Sequence, residues 1–226
     1  MKVAENIELV KQKVNVALEK AGRKGPVKIV AVSKTVSPEN ILQAYEYGQR
    51  VFGENRVQEW QKKSILLPKD IEWHLIGRLQ TNKIKYLDSR VTLIHSLDRF
   101  RLLERLNSEG QKRGLIWKTL VQVNIAKDDA KAGLEVEEVG DFLLAARDFD
   151  FVKIEGLMTI GPFGVGQEEM RGYYRELRYL RDKLQSQGLC ENLFHLSMGM
   201  SQDFEIAVEE GATLIRVGSV IFGERA

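Results

Sequence analysis

The chain has 226 residues, 43% of them hydrophobic and 29% charged, enough for one large domain or two small ones around a sizeable core. Its 34 basic and 32 acidic residues leave a net charge of +2, without the basic excess of a nucleic-acid footprint. One cysteine, Cys190, excludes an internal disulfide framework, and no apolar stretch approaches the roughly 20 residues that span a bilayer. Residues 1–20 mix acidic and basic side chains and lack the apolar segment of a secretory signal, so the expected compartment is the cytoplasm.

Val3, Ile7, Val10, Val14, Ala17 and Leu18 recur at helical spacing, which predicts an amphipathic helix over 3–21 that Gly22 ends. Apolar runs and helical patterns then alternate. Strands are predicted at 27–33, 50–53, 72–76, 92–96, 118–125, 152–158, 193–198 and 214–222. Helices are predicted between them at 38–48, 55–65, 81–87, 98–113, 135–148, 167–187 and 202–210. Ser37-Pro38 offers an N-cap followed by proline at the first helical position, while Asp98 and Ser201 are the expected caps of two later helices. Each return crossover is filled by a helix, so the strands pair in parallel. Eight such units in a chain of this length favour a closed (β/α)8 TIM-type barrel with an extra N-terminal helix over an open doubly wound sheet. No linker or repeat divides residues 1–226, which are expected to form one domain. The glycine-rich segment Gly161-Pro162-Phe163-Gly164-Val165-Gly166 lacks the third glycine of a dinucleotide fingerprint and reads as a mobile loop.

Barrel chemistry gathers at the carboxyl ends of the strands, and these ends are polar and glycine-rich here. The first strand, Lys28-Ile29-Val30-Ala31-Val32-Ser33, runs into Lys34. A lysine where a packed core opens loses hydration, which makes its neutral, nucleophilic form accessible for Schiff-base chemistry. The plain alternative is a lysine reaching solvent at a strand end. Ser197-Met198-Gly199-Met200-Ser201 precedes a predicted helix, and Gly218-Ser219 lies on the neighbouring predicted strand. Hydroxyls and free backbone N–H groups there suit an anion, and phosphate on the loops after strands seven and eight recurs in barrels. Ordinary capping by Ser201 and a packing role for Gly218 are the alternatives.

Arg216 interrupts an apolar strand, where a guanidinium needs either an ion pair, with Glu54 or Glu224 as partners, or a ligand such as a cofactor ring nitrogen. His74, His95 and His195 have no metal-ligand spacing and are read as core or supporting residues. Cys190 is read as packing in preference to a nucleophile.

Ala31-Val32-Ser33-Lys34, Phe52-Gly53-Glu54-Asn55-Arg56-Val57-Gln58-Glu59, and Trp73-His74-Leu75-Ile76-Gly77 with Leu79-Gln80-x-Asn82-Lys83 form one group of motifs. Gly156-Leu157-Met158-Thr159, Ser197-Met198-Gly199-Met200-Ser201-x-Asp203-Phe204 and Arg216-Val217-Gly218-Ser219-x-Ile221-Phe222-Gly223 form a second. Together they resemble the pyridoxal phosphate homeostasis protein family, of the YggS/PROSC type, over nearly the whole chain. That family is structurally akin to the barrel domain of alanine racemase.

The resemblance implies pyridoxal 5′-phosphate (PLP) on Lys34 as a Schiff base. It also implies phosphate contacts from Ser197 or Ser201 and from Gly218 and Ser219. Arg216 would face the pyridine nitrogen, Asn55 would lie beside the cofactor, and Met198 would form a wall. The related racemases take a second base, a tyrosine, from an additional β domain of a partner subunit. The chain ends at Ala226, shortly after the last predicted strand, so no such domain is expected. The expected function is therefore to buffer or deliver PLP as a monomer, with apo PLP-dependent enzymes as candidate recipients and neither nucleic acid nor membrane as partner. A PLP-dependent racemase using Tyr173 or Tyr174, and a cofactor-free Schiff-base aldolase on Lys34, are the competing readings.

Overall fold

A computed structural model describes residues 2–128 and 130–223. The strands are β1 (Lys28–Val32), β2 (Val51–Glu54), β3 (Glu72–Leu75), β4 (Val91–Leu97), β5 (Trp117–Gln122), β6 (Val152–Met158), β7 (His195–Met200) and β8 (Leu214–Val217). They close into a barrel in sequence order. All pairs are parallel, and β1 meets β8 through Lys28↔Leu214 to Ala31↔Val217. Strands in this arrangement present alternate side chains to the barrel interior and to the surrounding helices. In β8, Leu214 points into the barrel, whereas Ile215 and Val217 join the large core between barrel and helices.

The helices are α1 (Lys2–Lys20), α2 (Pro38–Glu46), α3 (Val57–Ser64), α4 (Phe100–Arg113), α5 (Val139–Ala146), α6 (Gln167–Ser186), α7 (Phe204–Glu209) and α8 (Ser219–Phe222). Helix α1 is the predicted extra element. Its buried stripe Val3, Ile7, Val10, Val14 and Ala17 packs across α2, α7 and α8. Asn6 donates to the Ile221 carbonyl at 2.9 Å, and Lys13 and Lys20 pair with Glu205 and Glu209 of α7. Gly22, just past its end, takes a left-handed φ of 61°, as the sequence anticipates. Ser37 accepts from the Asn40 N–H, which makes it the expected cap of α2. No helix among the described residues is long and apolar enough to cross a membrane.

The structure corrects several local expectations. The eighth strand stops at Val217, and Ser219–Phe222 form a short helix. An apolar run such as Val220-Ile221-Phe222 cannot be told from a strand by periodicity. Here Gly218 leaves the extended region at φ −120°, ψ −73°, and its carbonyl accepts from the Ile221 and Phe222 N–H groups. Residues 81–86 form a tight 3₁₀ helix. Asp98 does not cap α4, because its carboxylate pairs with Arg78 and Arg99. Ser201 does not cap α7 either, since its hydroxyl accepts from the Gly218 N–H at 3.2 Å.

Candidate functional site

A cleft of about 980 Å³ opens at the carboxyl ends of the strands. Lys34, Asn55, Ser201, Arg216, Gly218 and Ser219 all line it. The glycine-rich segment Gly161–Val165 forms a further wall. Ser197 and Met198 do not reach it. Met198 is fully buried in the core between barrel and helices, on the outward face of β7. Ser197 is fully buried below Arg216, to which it is hydrogen-bonded. The two expected contacts therefore sit behind the cleft wall.

Lys34 is partly exposed in the turn after β1, and the residues on either side of it are fastened by a buried charge network. The Lys63 ammonium donates to the Ser33 carbonyl at 2.6 Å, to Glu54 Oε1 at 2.8 Å and to Glu59 Oε1 at 2.7 Å. Ser33 Oγ donates to the same Glu54 oxygen at 2.6 Å, and Glu59 accepts from the Thr35 N–H. Thr35 takes a left-handed φ of 63°, a strained conformation for a β-branched residue that these bonds hold in place. Burial pushes the Glu54 carboxyl above the usual range, against the donation from Lys63 and Ser33 that draws it down. This clamp was missed in the sequence. Its signal was present in a glutamate at the end of an apolar strand and a Glu59/Lys63 pair at i,i+4 spacing.

Arg216 does not pair with Glu54, and Glu224 lies outside the described residues. Its guanidinium donates from Nη1 to Ser197 Oγ at 2.6 Å and from Nη2 to the Thr159 carbonyl at 2.8 Å, both neutral acceptors. Ser197 Oγ lies 2.9 Å from His95 Nδ1, and His95 Nε2 lies 3.0 Å from His74 Nδ1. Arginine can only donate. In the tautomer in which the Ser197 hydroxyl donates to His95 Nδ1, His95 carries its hydrogen on Nε2 and donates it to His74. In that arrangement each imidazole accepts through one nitrogen, so both are neutral. Burial, with Lys28 and His195 adding positive charge, pushes His74 down to about 3. Burial, His74 and Arg216 drive His95 well below its ordinary range. The histidines are thus the supporting residues that the sequence suggested, aligned behind the guanidinium.

The ends of β7 and β8 meet through the Ser201–Gly218 bond, which sets a hydroxyl and the Gly218-Ser219 backbone side by side. A Cβ on Gly218 would lie 3.2 Å from Val32 Cβ, so a side chain there would press on the end of β1. Asp203 accepts from the Met200 N–H at 2.6 Å and shapes the intervening turn. The donor set suits an aromatic phosphate: an amine, a cradle of hydroxyl and backbone groups, and a buried guanidinium that among the described residues is bonded only to neutral oxygens. Neither Tyr173 nor Tyr174 lines the cleft. Tyr174 is 1% exposed, and burial together with Asp203 raises its hydroxyl pKa further, away from use as a base. Tyr173 is engaged with Glu169 at 3.0 Å. Cys190 packs against the core, and no group of metal-ligating side chains occurs among the described residues.

Residues 5–226 match the profile of the alanine racemase N-terminal domain. A pyridoxal phosphate homeostasis protein of Aquifex aeolicus (strain VF5) is 45% identical over 227 residues, spanning 100% of this chain and 99% of that protein. The chain belongs to the pyridoxal phosphate homeostasis protein family. A mouse member of that family is 38% identical over 214 residues, covering 88% of this chain and 77% of its own. These relatives are named for the homeostasis of pyridoxal phosphate and not for a reaction. The structure of a Synechococcus elongatus PCC7942 homologue, PipY, with PLP bound superposes with a TM-score of 0.87 at 36% identity, over 98% of this chain and 100% of PipY. Alanine racemase from Corynebacterium glutamicum shares the fold at a TM-score of 0.77 and 14% identity, over 99% of this chain and 61% of its own.

Proposed function

We propose that this chain holds PLP as a Schiff base on Lys34 and buffers or delivers it in the cytoplasm, acting as one polypeptide domain and as a monomer, with apo PLP-dependent enzymes as recipients. The observation that carries this reading is the convergence of Lys34, Arg216, Ser201, Gly218 and Ser219 on one cleft. When bound, the cofactor supplies an aldehyde that condenses with a primary amine and releases water. Lys34 provides that amine, in a turn fixed on both sides by the Glu54–Lys63–Glu59 clamp. Ser201 and the Gly218 and Ser219 backbone take the phosphate. Ser197 and Met198 leave the contact set, and Ser197 acts through Arg216 as a positioning residue. Arg216 keeps its protons, so it donates to the ring nitrogen and leaves it unprotonated, which weakens the ring as an electron sink. Asn55 lies beside the ring.

The racemase reading lacks the tyrosine base it calls for, because Tyr174 is buried with a raised pKa and Tyr173 is bound to Glu169. The test is the absorption spectrum of the protein with PLP before and after borohydride, followed by mass mapping of the reduced peptide. The label is expected on Lys34 and absent from Lys34→Ala. Attachment at another lysine overturns the site, and sustained racemisation of a single-enantiomer amino acid overturns the carrier role. Aldol cleavage without a cofactor band would favour the aldolase.

A further inference from the structure

A second cleft of about 790 Å³ lies on the same face of the barrel, built by the segments that follow β2, β3 and β4. Four of its lining residues are cations: Arg56, Arg78, Lys83 and Arg99. No carboxylate lines it among the described residues. Among the described residues the one acidic group bonded to these cations is Asp98, whose side chain lies behind the wall, 2% exposed, and pairs with both Arg78 and Arg99. Among the described residues no ion pair holds Arg56 or Lys83, although Glu59, engaged by Lys63 and Thr35, feels the Arg56 charge. The chain as a whole is nearly neutral at +2, so this concentration of positive charge is local.

The cleft owes its shape to a backbone contact. A Cβ on Gly77 would lie 2.5 Å from the Asn55 carbonyl oxygen, so only glycine lets the segments after β2 and β3 press together. That contact brings Arg56 and Arg78 into one concavity, which Gln58 and Gln80 also line. Asn55, Gly77 and Arg78 also line the cleft that holds Lys34, so the two sites share a wall.

We propose that this basic cleft binds a second ligand, a small phosphate-bearing polyanion distinct from the cofactor. Arginine forks match phosphate oxygens two at a time, and amide side chains add neutral donors. Three cationic charges remain after Asp98 offsets one, which matches a ligand of two or three negative charges. The volume falls in the range of roughly 300–1,000 Å³ typical of small-molecule pockets, and the concave shape suits a compact ligand better than a peptide lying across a flat surface. The shared wall means that its occupant lies next to Asn55, within reach of influencing how the neighbouring cleft holds its own ligand.

Calorimetric titration of the full chain with pyrophosphate tests this, whether or not Lys34 carries PLP. Saturable binding that weakens with added salt is expected, and Arg56→Gln combined with Lys83→Gln should reduce affinity by about tenfold or more. Among the described residues neither side chain holds an ion pair, so an unchanged melting curve is expected to accompany the loss. Lys34→Ala combined with Ser201→Ala should leave pyrophosphate affinity within about twofold, since those residues line only the other cleft. Absence of saturable binding at millimolar pyrophosphate overturns the proposal. So does a reversed pattern, in which the Lys34/Ser201 variant loses affinity and the Arg56/Lys83 variant does not. Tighter binding of a hexaglutamate peptide than of pyrophosphate would assign the surface to a protein partner instead.

Discussion

Lys63 is a lysine with its ammonium buried at the end of α3, in a position where an unpaired charge would be prohibitive. Three acceptors satisfy it: Glu54, Glu59 and the Ser33 carbonyl. Glu54 is fully buried, and its Oε2 has no hydrogen-bond partner among the described residues, so its charge depends on Lys63 and Ser33 through the other oxygen. Removing one partner of a buried pair leaves the other uncompensated, which costs more than the pair itself contributes. Lys63→Met is therefore expected to destabilise the protein by about 3–5 kcal/mol in urea denaturation. It should also loosen the turn that carries Lys34 and lower PLP retention. A variant with wild-type stability and retention would show that the clamp is dispensable.

At the level of elements, close approach of backbones sets the strand ends. Strands β6 and β7 meet at Gly156, where a Cβ would stand 2.0 Å from the His195 carbonyl oxygen and 2.8 Å from His195 Cα. Both obstacles are backbone in a hydrogen-bonded parallel pair, so no rotamer change relieves the clash. Gly156→Ala is expected to cost at least about 3 kcal/mol, at the severe end of overpacking, read as a lowered denaturation midpoint. Gly199 follows the same logic against α7. Its φ is 89°, and a Cβ would lie 2.5 Å from Ala207 Cβ. These glycines let β7 deliver Ser197 beneath Arg216 and Ser201 beside Gly218 in six residues that also carry a register shift.

For the whole molecule, the buried histidine pair makes folding pH-dependent above the range where carboxylates titrate. In the unfolded chain a histidine takes up a proton near pH ~6.5. In the folded protein burial holds His74 neutral down to about 3, and His95 is also strongly depressed. Between those values the unfolded state binds more protons, so stability rises with pH. The contribution is complete above about pH 6.5 and is lost as pH falls, by about 2 kcal/mol per histidine at pH 5. Asp88, held down by Arg90, loses its contribution only at lower pH, below the ordinary carboxylate value. Glu54, pushed up by burial, acts in the opposite sense in wild type and variants alike. Melting temperature is thus expected to fall between pH 7 and pH 5, and to fall less steeply in His74→Gln. Equal slopes would show that the pair takes up protons without opening the fold.

The barrel was legible in the amino-acid pattern, because eight apolar runs separated by helical periods leave little else for parallel strands to do at this length. That pattern also placed Lys34 and Ser201 just past strand ends, where apolar residues give way to polar ones, and singled out Arg216 and Gly218-Ser219 within the eighth predicted strand. Tertiary structure alone decided which of those polar residues face the cleft. Ser197 and Met198 belong to the same motif as Ser201, yet strand alternation turns one toward His95 and the other toward the helices. The clamp on Ser33 and Thr35 and the basic cleft both join residues far apart in the chain or on different elements. Local patterns report the environment of each segment separately, whereas these sites exist only where barrel closure brings several segments together.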